Sequence, residues 1–364
     1  MSNARELAQI PSTPSGRRNL IINGAMNVAQ RGTSETGVTS SAYRACDRFK
    51  PTIINAGTWT ISQSSDAPDG FATSLKFDCT TADTSLGGSD RFRLDYYIEG
   101  QDVQHLQKGS ASAKSLTISF YVKTNKTGTY VCELNDGDNT RAYSQTYTVD
   151  SANTWEKKTI VFSGDTSGVL DNDNNASLQI HWWIASGTDF TSGTTPTGWE
   201  ARTNANRAAG LNVNIADSTS NDWAITGVQL EVGTVATEFE HRSYGEELAL
   251  CQRYFQKIEL NQYNSPMILR GTNNNVASSI VHMLPVTMRS NFSTNYTGNV
   301  TAAYWSNIGN TSYSTETVQF YITSRSSGRG YAWGITQAAF IGNNELVATA
   351  LYSSPVWLYL DAEL

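Results

Sequence analysis

Residues 115–123 read SLTISFYVK, in which Leu116, Ile118, Phe120 and Val122 alternate with Thr117, Ser119, Tyr121 and Lys123. Successive side chains of a strand point to opposite faces, so this period of two places one set in a core and the other toward water. The same alternation recurs at Leu75, Phe77 and Cys79; at Phe92, Leu94, Tyr96 and Ile98; at Tyr130, Cys132 and Leu134; and at Leu178, Ile180, Trp182 and Ile184. Turn-forming stretches separate these runs: NAG at 55–57, APDG at 67–70, NDGDN at 135–139 and DNDNN at 171–175. Strands of this length at this spacing imply an all-β chain folded as an antiparallel β-sandwich. In WAITGVQLEV, residues 223–232, the apolar set changes parity from Trp223 and Ile225 to Val228, Leu230 and Val232, which predicts a bulge at Gly227 in the last strand of the sandwich.

Composition agrees. The chain has 364 residues, more than one core usually spans, so two domains are expected. Charged residues make up 16% and the net charge is −7 without a basic stripe, which argues against nucleic-acid binding. No apolar run has the length of a signal peptide or a membrane span, so neither secretion by a leader nor membrane insertion is expected. Cys46, Cys79, Cys132 and Cys251 lie far apart, excluding a zinc ribbon and favouring buried free thiols in a chain made in a reducing cytoplasm.

Residues 1–18 end in the Pro/Ser/Gly stretch PSTPSGRR and read as an arm and linker. Residues 19–242 form the sandwich, with a Gly/Thr/Asn-rich excursion between Ser186 and Asp222 that is too long to be an idle loop. Ser243 and Glu246 form a capping box, and Leu248, Cys251, Phe255 and Ile258 follow at helical spacing, so a connecting helix is expected over 243–258. Residues 259–364 return to strand-like patterns, such as Val318, Phe320 and Ile322, and should form a smaller β domain.

Chemistry-bearing motifs are scarce. The four histidines, His105, His181, His241 and His282, sit in unrelated contexts, and no Gly-x-Ser-x-Gly elbow, His-x-x-x-His pair or P-loop occurs. Asp95 and Glu99 read as acids on a wet strand face, and the Asp-rich turns at 136–138 and 171–173 as plain turn chemistry rather than a calcium loop. No enzyme activity, metal or cofactor is therefore expected. Aromatics say more, because sugar C–H faces stack on exposed rings while amide, carboxylate and guanidinium groups bond the hydroxyls. With Trp182 pointing inward, Trp183 points outward beside Gln179 and His181, and the neighbouring run exposes Arg91, Arg93, Asp95 and Tyr97. This composition suits a glycan platform at Trp183, His181, Tyr97 and Arg93, unless the 186–222 excursion or another subunit covers it. Tyr296, Tyr304, Trp305, Tyr313, Tyr331 and Trp333 repeat the theme in the C-terminal domain, where Tyr304, Trp305 and Trp333 are further glycan candidates or, alternatively, fill a trimeric core.

The stretches NLIINGAMNVAQRG (19–32), YRACDRFK (43–50) and ITGVQLEVGTVATEFEHRSYGEELALCQRYFQK (225–257) resemble those of tailed-bacteriophage tail-fibre and related virion-fibre proteins, which carry a jelly-roll domain similar to carbohydrate-binding modules. The resemblance implies a jelly roll between residues 19 and 257 and a virion location. Modules of this shape often hold a structural calcium, but Ala25, Met26 and Asn27 follow the opening Asn23-Gly24 and Ile225, Thr226 and Gly227 stand in the last strand, so the expected acids are missing and no metal is implied. The resulting expectation is a homotrimeric, non-catalytic fibre. Residues 1–18 would dock on other virion proteins and the fibre would bind host cell-surface polysaccharide or lipopolysaccharide, with a capsid-surface fibre or decoration protein as the nearer alternative. A polysaccharide-degrading tailspike is a more distant one, since no internal repeat of a parallel β-helix is visible.

Overall fold

The computed structural model describes residues 17–260 without a break, then the strands at 269–272, 275–282, 293–297, 301–305, 315–317, 320–321, 331–338 and 347–351, the stretch 285–289, and residues 356–364. The chain divides into two compact units, Met1–Glu247 with Leu364, and Leu248–Glu363. No described helix is long and apolar enough to cross a membrane. Of the expected arm, only Arg17 and Arg18 lie within the described residues.

The first unit is an antiparallel jelly-roll sandwich. Its strands are β1 (Ser34–Val38), β2 (Phe49–Ile54), β3 (Thr58–Ser64), β4 (Ser74–Thr81), β5 (Arg91–Glu99), β6 (Leu116–Thr124), β7 (Gly128–Asp136), β8 (Arg141–Val149), β9 (Glu156–Phe162), β10 (Ala176–Ser186), β11 (Glu200–Ala201) and β12 (Asp222–Val232). They make one sheet in the order β1-β3-β4-β12-β6-β9 and a second in the order β11-β8-β7-β10-β5-β2. The inner faces hold the residues whose alternation announced them: Leu116, Ile118, Phe120 and Val122 from β6 face a sheet contributing Leu94, Tyr96, Cys132, Leu134, Ile180 and Trp182, all buried. Trp182 packs against Phe49 and edge-on against Phe120, at 6.4 and 5.9 Å between ring centroids. The four cysteines are free and buried. The bulge lies where the parity change put it: the β6–β12 register shifts between Thr226 and Gln229, and Gly227 takes φ +62°.

The outward face of β6 is not simply wet. Thr117 and Ser119 are buried because residues 233–242, after β12, run back over this sheet as a strap. Buried Gln229 and Glu231 on β12 fasten it: Gln229 accepts from Glu240 N at 2.8 Å, and Glu231 accepts from Thr237 N and Thr237 Oγ1 at 2.8 and 2.7 Å. The strap then closes on the start of the chain. Asn19 Nδ2 donates to Val228 O, while its Oδ1 accepts from Leu230 N and Ile21 N. Arg242 donates to Asn19 O at 2.6 Å and Ile21 O at 3.0 Å and pairs with Glu247 at 3.2 Å. Gly24 lies so close to β12 that a Cβ there would meet Val228 O at 2.1 Å.

The capping box forms as expected, with Ser243 N donating to Glu246 Oε2 and Glu246 N to Ser243 Oγ. The helix is shorter than its pattern suggested. It is α2 (Tyr244–Gln252, after the single turn α1, Thr188–Thr191), and Phe255 and Ile258 belong to a strand, Phe255–Leu260, paired antiparallel with Val356–Asp361. A nine-residue helix has little stability of its own, and the aromatic and β-branched residues after it take the strand that a long-range partner offers. The described strands of the second unit make three small antiparallel sheets, one of which contains this pair. Val318 and Ile322 lie outside the described residues, as do the side chains of Tyr304, Trp305 and Trp333, which stand on the strands Thr301–Trp305 and Tyr331–Ala338.

Replacing Arg242 by Met should cost about 3–5 kcal/mol, because it strands the largely buried Glu247 carboxylate and two carbonyls. A urea titration should show this as a lower midpoint with an unchanged slope. A double variant Arg242→Met/Glu247→Gln should recover part of the loss.

Candidate functional site

Register brings the four sequence-selected residues of the sandwich together on the outer face of the second sheet. In the β5–β10 pairing His181 stands opposite Asp95, Trp183 opposite Arg93 and Gln179 opposite Tyr97. Asp95 is the hub: His181 Nδ1 donates to it at 2.7 Å, Thr52 Oγ1 at 2.6 Å and Tyr97 OH at 3.2 Å, and Arg93 Nε pairs with it at 2.8 Å. Burial works against the Asp95 charge, yet Arg93, His181 and Thr52 outweigh it and hold the carboxyl well below the usual carboxylate range. The face is thus a buried ionic layer rather than a wet one, and Asp95 and Glu99, expected in solvent, are both inaccessible.

Trp183 is correspondingly not an open platform. It is 0% exposed, covered by Phe190 and Ala208 from the 186–222 excursion, which forms a roof over β7 and β10. The guanidinium carbons of Arg93 and Arg207 lie over its ring at 5.1 and 5.2 Å from the centroid, and its Nε1 donates to Glu133 at 2.9 Å. Arg207 in turn grips Glu133 bidentately, at 2.8 and 3.1 Å. With its ring enclosed by protein, Trp183 cannot stack on a sugar in this arrangement, and His181, 1% exposed, cannot reach one. Tyr97 and Arg93 are half-buried at the margin of the same network.

The acidic turn at 136–138 is also occupied from within. Lys108 Nζ pairs with Asp136 and Asp165 and donates to the carbonyls of Ser167 and Gly168, so an ammonium gathers these oxygens. Among the described residues no group of three or more His, Cys, Asp or Glu could hold a metal ion.

An open aromatic site lies elsewhere, on the outer face of the first sheet. A pocket of about 200 Å³ is walled by Phe71, Tyr121, Phe239 and His241, with Asp69, Ser119, Lys157 and Glu238 among its polar groups. Phe71 lies 5.5 Å from Tyr121, 5.0 Å from Phe239 and 5.3 Å from His241. The Gly227 bulge makes it possible: a Cβ there would come within 2.7 Å of Phe71 and 2.9 Å of Tyr121. Phe71, Tyr121 and Phe239 are half-buried, whereas Asp69, Lys157, Glu238 and His241 are exposed. Sequence reading missed this site because its rings come from the β3–β4 turn, β6 and the strap. The available signals were Phe71 directly after the turn Asp69-Gly70, and Phe239 with His241 flanking an acid beyond the last strand.

No family model matches the sequence, and no curated protein does. Among solved structures the chain is similar to the enzymatically active domain of tailspike protein 4 of bacteriophage CBA120, at 12% identity and a TM-score of 0.31, over 59% of this chain and 21% of that one. The chain thus spans about a fifth of that tailspike structure. It is also similar to TmCBM61 in complex with β-1,4-galactotriose, at 11% identity and a TM-score of 0.28, over 59% of this chain and 99% of that one. A family 11 carbohydrate-binding module from Clostridium thermocellum, in complex with a β-1,3-1,4-mixed-linked tetrasaccharide, gives 14% identity and a TM-score of 0.28, over 58% and 99% of the two chains.

The buried network sets a pH dependence. Burial and the neighbouring Arg93 charge lower the pKa of His181, so the folded protein keeps the ring neutral. An unfolded chain, with its histidines near pH 6.5, takes up a proton that the folded chain refuses. Stability should therefore fall as pH drops below about 6.5, with a slope of up to about 1.4 kcal/mol per unit from this residue. His181→Gln should therefore flatten the slope of stability between pH 7 and 5 in urea titrations. A second decline should begin near pH 4, where the depressed Asp95 and Glu133 carboxyls start to lose their folded-state advantage.

Proposed function

We propose that the chain is a fibre subunit of a tailed-phage virion, which adsorbs to host-surface glycans without catalysis and acts as a homotrimer held to the particle through residues 1–18. The observation that carries the glycan reading is the aromatic pocket at Phe71, Tyr121, Phe239 and His241 with hydrogen-bonding groups at its rim. Half-exposed rings offer stacking surfaces to pyranose C–H faces, and the exposed Asp69, Glu238 and Lys157 supply acceptors and donors for ring hydroxyls. The volume of about 200 Å³ is below that of a drug-sized site and suits a single ring. The phage assignment rests on the resemblance of residues 19–32, 43–50 and 225–257 to virion-fibre proteins. Lack of a recognisable catalytic motif supports adsorption alone.

Binding of purified protein to host-derived surface polysaccharide tests the reading. Tyr121→Ala and Phe71→Ala should each weaken binding about tenfold, equivalent to about 1.4 kcal/mol, since one stacking contact is lost from a small site. Thermal melts run alongside separate this loss from unfolding. Undiminished binding by a folded Phe71→Ala/Tyr121→Ala variant would remove the pocket from the receptor site, and release of reducing sugar would overturn the non-catalytic reading. A stable monomer at micromolar concentration would overturn the trimer.

A further inference from the structure

Four guanidiniums lie along this face: Arg93 and Arg207 over Trp183, Arg91 over the neighbouring Phe190, and Arg202 beside Asn135. Arg207 is paired with Glu133 and Arg93 with Asp95, but Arg91 donates to the carbonyl of Ser89 and stacks over Phe190 at 5.1 Å, and Arg202 donates to the neutral amide oxygen of Asn135. Neither Arg91 nor Arg202 has an ion pair among the described residues, and both are half-buried rather than free in solvent. Arg93 Nη1 is buried without a hydrogen-bond partner. Each of the outer two feels the charges of Arg93 and Arg207, and burial together with those like charges lowers the pKa of both. Asp90, next in sequence to Arg91, is already bonded to Gly87 N and Asn55. A cluster of this kind, with two guanidinium forks unanswered by carboxylate and a third carrying an unused donor, is built for an anionic oxygen group.

We infer that the outer face of the second sheet, at Arg91, Arg93, Arg202 and Arg207, binds a carboxylate- or phosphate-bearing substituent of the surface glycan. This rests on the glycan-adsorption reading but uses a different site on the sandwich from the aromatic pocket. The rigid layer beneath gives the arginines fixed positions: Trp183 and Phe190 support the guanidinium planes, and Glu133 and Asp95 anchor Arg207 and Arg93 without neutralising the outer pair. A neutral sugar would gain little here, whereas a uronate carboxylate or a phosphomonoester meets planar donors that match its oxygens.

The test is calorimetric or NMR titration of the full chain with sodium glucuronate, inorganic phosphate and glucose as probes, at low and at high salt. Glucuronate, phosphate or both should bind at least tenfold more tightly than glucose, with affinity falling as salt rises. A response to glucuronate would indicate an acidic polysaccharide, and one to phosphate a phosphorylated lipopolysaccharide. Arg91→Gln/Arg202→Gln, which leaves both buried ion pairs intact, should reduce binding at least tenfold with an unchanged melting temperature. Phe71→Ala should leave it unaltered. If neither anion bound more tightly than glucose, or if binding survived in the Arg91→Gln/Arg202→Gln variant, the inference would be overturned, while polysaccharide binding lost in Phe71→Ala would still uphold the aromatic pocket. Anion binding by a protein that bound no surface polysaccharide would uphold the arginine site and overturn the glycan-adsorption reading.

Discussion

The sandwich depends on the clasp between its two chain ends. β12 sits between β4 and β6 in the first sheet, and the residues before β1 are joined to it by backbone bonds, Leu20 N to Leu230 O and Val228 N to Gly24 O. Those bonds need a close approach that only glycine at position 24 permits, and they leave the polar groups of residues 19–23 buried. Asn19, Asn23, Arg242 and Glu247 answer them: Asn23 alone donates to Val28 O and Asp47 O and accepts from Val28 N, while its backbone N–H donates to Glu247. Buried polar groups are costly when unpaired, so the cluster acts as a unit and fixes where the first segment, the last strand and the strap must lie.

This arrangement explains what a resemblance can and cannot convey. The stretches at 19–32, 43–50 and 225–257 are the ones that meet in the clasp: Asp47 accepts from Gln30 N and Nε2, and Arg48 donates to Tyr97 O on β5. Many of their residue types answer backbone groups that must be satisfied, as at Asn19, Asn23 and Arg242, and such segments carry the fold. The stretch 225–257 also brings Phe239 and His241 to the aromatic pocket.

The inner faces of the sandwich were legible because period-two alternation is a local signal, and Ile118, Ile180 and Trp182 sit where it placed them. The outer faces were not, since their burial comes from segments remote in sequence. Ser119 is covered by a strap more than a hundred residues downstream, and Trp183 by residues that follow in the excursion. Composition correctly grouped Trp183, His181, Tyr97 and Arg93 on one face, because neighbours across strands follow from parity and register. It could not tell an open platform from a roofed one. The helix after the sandwich failed for the converse reason: Leu248, Cys251, Phe255 and Ile258 satisfy a helical spacing, but the pairing of Phe255 with Asp361 and Ile258 with Leu358 depends on residues a hundred positions away.

Both covers are built to hold charge or aromatic surface at a fixed height above a sheet. The strap brings Phe239 and His241 to Phe71, and the excursion brings Arg202 and Arg207 to Arg93. In each case a rigid sheet supplies one wall and a loop supplies the other, so little ordering is left to be lost when a ligand arrives. Small preorganised sites of this kind give weak single contacts, because a pocket of about 200 Å³ can enclose little of a polymer. On the proposed adsorption reading, affinity for a repeating surface polymer would come from presenting several copies at once, where effective concentration multiplies weak contacts that share a geometry. A scaffold with deeply paired interior charges and fixed walls suits that use, since each copy offers the same spacing between its aromatic and its cationic face.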